Sequence, residues 1–187
     1  MHSRLSEVKK YGKVDILFLG SSHAYRGFDT RVFLENGYKS FNLGSSAQTP
    51  AQTKVLLKRY LDSLNPELII YEVYPETFNS DGVESSLDLI ANDINDLHSF
   101  GMALKINNIK TYNTLVYGFS HDLLGLNSSF SETTKKGNDK YVSGGYVEKE
   151  LDFYKPSEFV NKEIYIRDYQ LESFLEIVQM IKNRNIE

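Results

Sequence analysis

Residues 20–23 read Gly-Ser-Ser-His and follow directly on the apolar run VDILFL at 14–19. Serine hydroxyls at a sharp turn are the raw material of acyl transfer, in which the oxygen attacks a carbonyl and nearby amide N–H groups hold the developing oxyanion. A buried strand that stops at a glycine delivers the next side chains to the carboxyl edge of a sheet, where open α/β folds keep their ligands. Two later segments carry groups of the same kind: Asn42-Leu43-Gly44-Ser45-Ser46, and the stretch from Tyr71 to Phe78 with Glu72 near its start.

The elements that would position these groups are legible on either side of them. The continuous apolar run at 14–19 predicts a central parallel strand. Asp29 is placed to cap a short helix over 30–36 that ends at Asn36-Gly37. Residues 38–43 fit a second strand, with Tyr38, Phe41 and Leu43 as its apolar positions. Thr49, Pro50 and Gln52 form a helix start, and Leu57, Tyr60, Leu61 and Leu64 repeat along one face until Asn65-Pro66 stops the helix. Residues 67–73 give a third strand. This β-α-β-α-β order with short connections predicts a parallel sheet with right-handed crossovers, so the three chemistry-bearing segments fall at the ends of three successive strands.

Further along, residues 85–98 read as an amphipathic helix and 102–124 as one or two helices. The polar stretch 125–145 reads as a mobile loop, either a lid or an insertion. A helical pattern at 157–184 puts Leu171, Phe174, Leu175 and Val178 on one face. The chain reads as a single domain over 1–187, and a β-α series calls for another strand beyond Glu187.

The order and strand context of the three segments resemble the SGNH (GDSL-type) hydrolase superfamily, whose fold is a flavodoxin-like α/β parallel sheet with helices on both faces. The resemblance covers residues 13–78. Gly20-Ser21-Ser22 stands where that family has Gly-Asp-Ser, which makes Ser22 the nucleophile, with Ser21 at the aspartate position. Gly44 stands at the glycine whose N–H helps the Ser22 N–H hold the oxyanion. Some polysaccharide-modifying and membrane-associated branches open on a similar GSSH. The resemblance implies a serine esterase or acyltransferase acting on an acyl ester, such as an acetyl group on a glycan or cell-surface polymer. It implies no cofactor, an extracytoplasmic or cell-surface setting, and a membrane anchor outside this chain. The family's oxyanion Asn has no counterpart in Glu72-Val73-Tyr74-Pro75, and Asn79 lies too far along. Its late Asp-x-x-His element is not matched by Asp93, Asp96 or His98. A chain without that histidine is expected to be inactive alone, and a non-catalytic module that binds a glycan or protein is the alternative.

The remaining polar groups divide between site and scaffold. His23 is read as a hydrogen-bonding or capping residue of its own turn. Glu72 would either orient a polar ligand or pair with Arg26. Glu148, Glu150 and Asp152 read as a solvated face, His98 and His121 as surface or core-edge residues, and His2 as disordered. The balance of 21 Lys and Arg against 25 Asp and Glu does not favour nucleic acid. The absence of cysteine excludes disulfides and thiol catalysis. No run approaches the roughly 18 apolar residues of a membrane span, and the polar first residues lack a signal-peptide core. No metal motif is present. A Ser-rich turn between strand and helix is also compatible with a phosphate or flavin, although no Gly-Lys-Ser/Thr ending marks a P-loop.

Overall fold

The computed structural model describes residues 2–125, 132–150, 161 and 163–187. Helix α1 (His2–Tyr11) precedes strand β1 (Ile16–Leu19), helices α2 (Ser22–Gly27) and α3 (Thr30–Glu35), strand β2 (Ser40–Asn42), helix α4 (Pro50–Leu64) and strand β3 (Leu68–Tyr71). The three strands form a parallel sheet in the order β2-β1-β3, with Leu17 paired to both Phe41 and Ile69. This is the predicted α/β arrangement.

Strand β1 is central and fully buried, which is why its sequence is unbroken apolar rather than alternating. Its side chains still alternate between faces. Phe18 packs on Phe28 and Phe33, with ring centroids 4.5 and 4.8 Å away. Leu17 and Leu19 join the main cluster, which contains Leu56, Leu57 and Leu61 of α4. Each such side chain contributes about 1.5–3 kcal/mol by leaving water. The predicted face of α4 is the buried one: Leu57, Tyr60, Leu61 and Leu64 are all in the core. The helix starts as its sequence indicates, with the Gln52 side chain accepting the Thr49 N–H at 3.0 Å.

Beyond β3 lie α5 (Pro75–Asn79), α6 (Val83–Asn92), α7 (Leu97–Ile106) and α8 (Ile109–Leu123). The expected helix at 85–98 is thus broken at Asp93, and the reason is electrostatic. Asp93 has a fully buried carboxylate that takes Arg59 Nη1 at 2.8 Å, the Tyr60 hydroxyl at 2.5 Å and Lys9 Nζ at 3.1 Å. Asp96 caps α7 through the His98 and Ser99 N–H groups and takes Arg59 Nη2 at 2.8 Å. The two aspartates therefore pin α6 and α7 to α4 and α1. Helices α7 and α8 leave apolar side chains in the open, among them Leu97 and Leu123.

Two expectations are corrected here. The polar segment at 125–145 is not a loop throughout, because residues 135–149 form a three-stranded antiparallel sheet of β4 (Lys135–Lys136), β5 (Asp139–Val142) and β6 (Tyr146–Lys149). These strands are short and exposed on one or both faces, so they carry no hydrophobic run to announce them. Their turn is seated on β2, where the Asn42 N–H donates to Gly144 O at 2.7 Å. Residues 126–131 of that segment lie outside the described residues, as do Asp152 and residues 157–160 and 162 of the predicted terminal helix; residues 163–167 are described and not helical, so that helix starts at Asp168 rather than at 157.

The second correction concerns α9 (Asp168–Asn183). It buries Gln170, Ser173 and Ile177, and of the predicted face it half-buries Phe174, packed on Tyr71 and Phe78, and Val178 but leaves Leu171 and Leu175 exposed. Gln170 fastens α9 in this rotation. Its Oε1 accepts the Ala51 N–H at the start of α4, at 3.1 Å, and its Nε2 donates to Ser80 O at 3.2 Å. An orphan amide at a helix start needs such a partner. His2 is likewise part of α1 rather than a disordered end.

The Arg59 cluster has a measurable signature. Partial burial pushes the Asp96 carboxyl up, but its bonds to Arg59 and to the Ser99 N–H outweigh this and hold it down at about 2. An unfolded aspartate titrates at about 3.9. The folded value is the lower one, so the stabilisation is present above about pH 4 and is lost as the pH falls toward 2. Urea midpoints should fall more steeply between pH 4 and pH 2 in the parent than in Asp96→Asn.

Candidate functional site

Gly20 ends β1 with φ +135°, a conformation that L side chains rarely adopt. A Cβ at this position would stand 2.7 Å from Glu72 Oε2 and 2.9 Å from Glu72 O. The missing side chain thus lets the end of β3 close over the turn. Glu72 Oε2 then accepts both the Ser21 N–H, at 2.8 Å, and the Ser21 hydroxyl, at 2.7 Å. Ser21 is buried and also caps α2, since its Oγ accepts the His23 N–H at 3.3 Å. Ser21 is therefore committed to the scaffold of the turn.

His23 Nδ1 lies 3.1 Å from Ser21 Oγ and 3.8 Å from Glu72 Oε1. Its ring is mostly exposed and meets Tyr74 edge-on at 4.7 Å. It makes no hydrogen bond to Ser22 among the described residues, and its contacts are those of a residue bonding its own turn. The pairing of Glu72 with Arg26 is not formed. Arg26 instead clamps Asp139 of β5 with two bonds of 2.8 Å, and Glu72 is taken by Ser21. The competition is geometric, because Arg26 lies a full helical turn beyond Ser22 and reaches the β4–β6 sheet.

Ser22 opens α2 at the carboxyl end of the central strand. It is half-buried and its hydroxyl has no hydrogen-bond partner among the described residues. The first N–H groups of a helix have no intrahelical acceptor, so its backbone amide sits where an anion is favoured.

Gly44 comes to the same corner. A Cβ there would meet Gly20 O at 3.0 Å and the Ala24 Cβ at 3.1 Å, and the next amide, Ser45 N–H, donates to Gly20 O at 3.2 Å. The Gly44 N–H itself is occupied, donating to Asn42 Oδ1 at 3.0 Å. Asn42 is the residue whose part here was not anticipated. Fully buried, it accepts from Gly44 while its Nδ2 donates to Ala24 O at 2.9 Å, tying the β2 loop to α2. A polar amide inside a three-residue buried strand was the available signal for such a bridge.

Asn79 is remote in role, its carbonyl accepting from Arg167 Nε at 2.7 Å. Glu148 pairs with Arg31 and Glu150 with Lys135, as a solvated face would. Among the described residues no group of His, Asp and Glu is placed to hold a metal. No protein-family model, curated protein or solved structure matches the chain.

The turn should be sensitive at two positions for different reasons. Glu72→Ala leaves the Ser21 N–H and hydroxyl buried without an acceptor and is expected to cost about 1–3 kcal/mol. Gly20→Ala adds backbone strain to a steric clash and should cost about 3 kcal/mol or more. Chemical denaturation of both variants, compared with the exposed substitution Lys58→Ala, provides the check.

Proposed function

We propose that this chain carries the nucleophile of a serine ester hydrolase or acyltransferase of the SGNH type, with Ser22 as the attacking residue. The observation that carries the reading is the position of Ser22: first residue of a helix, at the carboxyl rim of the central parallel strand, with an uncommitted hydroxyl beside the Gly44 loop. The oxygen would attack an acyl carbonyl, and the Ser22 N–H would be the first donor to the oxyanion. Gly44 would serve as the second after exchanging its bond to Asn42 Oδ1 for one to substrate. Ester-bearing glycans are the substrate class this reading implies, and an acetyl ester its simplest case.

The finer fold reading is a flavodoxin-like sheet, whose strand order begins 2-1-3. It is supported by the β2-β1-β3 order and by the parallel bonding along the outer edge of β3. There the Glu187 N–H donates to Glu67 O at 3.2 Å and the Ile69 N–H donates to Glu187 O at 2.8 Å, the paired bonds of a parallel ladder.

A second reading, a non-catalytic module that binds a glycan or a protein, draws on two facts. The Gly44 N–H is already satisfied, and no described histidine or carboxylate hydrogen-bonds Ser22 Oγ. A fluorophosphonate probe separates the two in this protein. The enzyme reading expects labelling that Ser22→Ala abolishes and Glu148→Ala leaves intact. Absence of labelling alongside retained glycan binding selects the module. Because no described histidine or carboxylate hydrogen-bonds Ser22 Oγ, the protein is expected to turn over p-nitrophenyl acetate barely above background, and clear turnover lost in Ser22→Ala would contradict that expectation.

A further inference from the structure

Helix α1, helix α2, the Ser45–Ser46 loop and the β4–β6 sheet enclose a polar cavity of about 180 Å³. That is far more than the 10–15 Å³ or so a single water needs. Arg4 forms part of its wall and is only 4% exposed. Its Nε and Nη2 both donate to one acceptor, Gly145 O, at 3.1 and 2.8 Å, and its guanidinium lies over the Tyr25 ring at 4.8 Å. Nη1 has no hydrogen-bond partner among the described residues, and no described carboxylate forms an ion pair with Arg4, Asp88 and Glu132 acting on it only at longer range. A buried cation in that condition is costly unless something anionic meets it.

The other charged groups of the wall sharpen the point. Its three carboxylates are engaged. Asp139 is held bidentately by Arg26 at 2.8 Å. Glu132 takes the Ser3 N–H at 3.0 Å and the Ser3 hydroxyl at 2.9 Å. Asp88 accepts from Asn92 Nδ2 at 2.9 Å, and burial raises its carboxyl toward the neutral form. The groups left uncommitted among the described residues are donors: Arg4 Nη1, the Lys136 ammonium, and the hydroxyls of Ser46 and Thr134. Lys136 is exposed at the rim and, like Arg4, forms no ion pair with a described residue.

We propose that this cavity binds one oxyanionic group, a carboxylate or a phosphate, with Arg4 as its buried anchor and Lys136 at its mouth. A guanidinium matches the two oxygens of either group, and the stacked Tyr25 ring fixes its plane. Ser45 and Ser46, which line the cavity, directly follow Gly44 in the chain. The anion site nevertheless stands apart from the Ser22 reading: saturable anion binding without serine labelling keeps the former and removes the latter.

The test is a titration of the ¹⁵N-labelled protein with inorganic phosphate and, separately, with glucuronate at constant ionic strength, with methyl glucoside as the uncharged control. Saturable shifts of the Ser46, Thr134 and Gly145 amides are expected with at least one anion. Phosphate alone would assign a phosphoryl ligand, and glucuronate alone a carboxylate. Lys136→Glu should weaken binding about tenfold or more, and Arg4→Met should abolish it. Arg4 also seats the Gly145 turn, so Lys136→Glu, an exposed change, decides the matter if Arg4→Met fails to fold. No saturable shift with either anion, equal binding of methyl glucoside, or no effect of Lys136→Glu would overturn the proposal.

Discussion

The closure of Glu72 over Gly20 is the contact on which the candidate site depends. It requires a residue without Cβ at the end of β1, because the side chain, Cβ and carbonyl of Glu72 fill the space a methyl would take. In return the carboxylate satisfies the buried N–H and hydroxyl of Ser21, which leaves Ser21 free to accept the His23 amide and start α2. Ser22 is the next residue, and its orientation follows from that start. One carboxylate thereby sets the turn, the helix and the hydroxyl presented at the rim of the sheet.

A second polar bridge completes the corner. Asn42 links the loop after β2 to α2 from inside the protein, and β2 is in turn bonded through its Asn42 N–H to the turn between β5 and β6. The approach at Gly145 is so close that a Cβ there would overlap Asn42 O. The small antiparallel sheet is therefore a structural neighbour of the Gly44 loop, and the Arg26–Asp139 pair fastens it to α2. These bonds close the wall of the Arg4 cavity beside the Ser22 corner.

The acidic residues show how similar sequence signals part company in three dimensions. Asp93 and Asp96 fall near His98 in the chain, which invites a catalytic interpretation, yet both are consumed by Arg59 and its neighbours as structural anchors. Asp139 and Glu132 are consumed by Arg26 and Ser3. Of the charged groups lining the Arg4 cavity, those with unused hydrogen-bond donors among the described residues are basic, Arg4 and Lys136. Electrostatic accounting over the whole wall, rather than the letters of any one segment, distinguishes scaffold from ligand-facing groups.

The sequence by itself determined the local elements around the site: the apolar run of β1, the cap and stop signals of α4, the Asp29 start of α3 and the parallel order that follows from short β-α-β links. These depend on periodicity and on interactions within a few residues, which the chain carries in its own order. Only tertiary structure decided which partner each polar side chain takes. Glu72 chose Ser21 over Arg26, Gln170 tied α9 to the start of α4, Asn42 claimed the Gly44 amide, and residues 135–149 became strands without a hydrophobic run. Each of those outcomes is a competition between groups far apart in the chain, settled by which donor and acceptor burial brings within about 3 Å of each other.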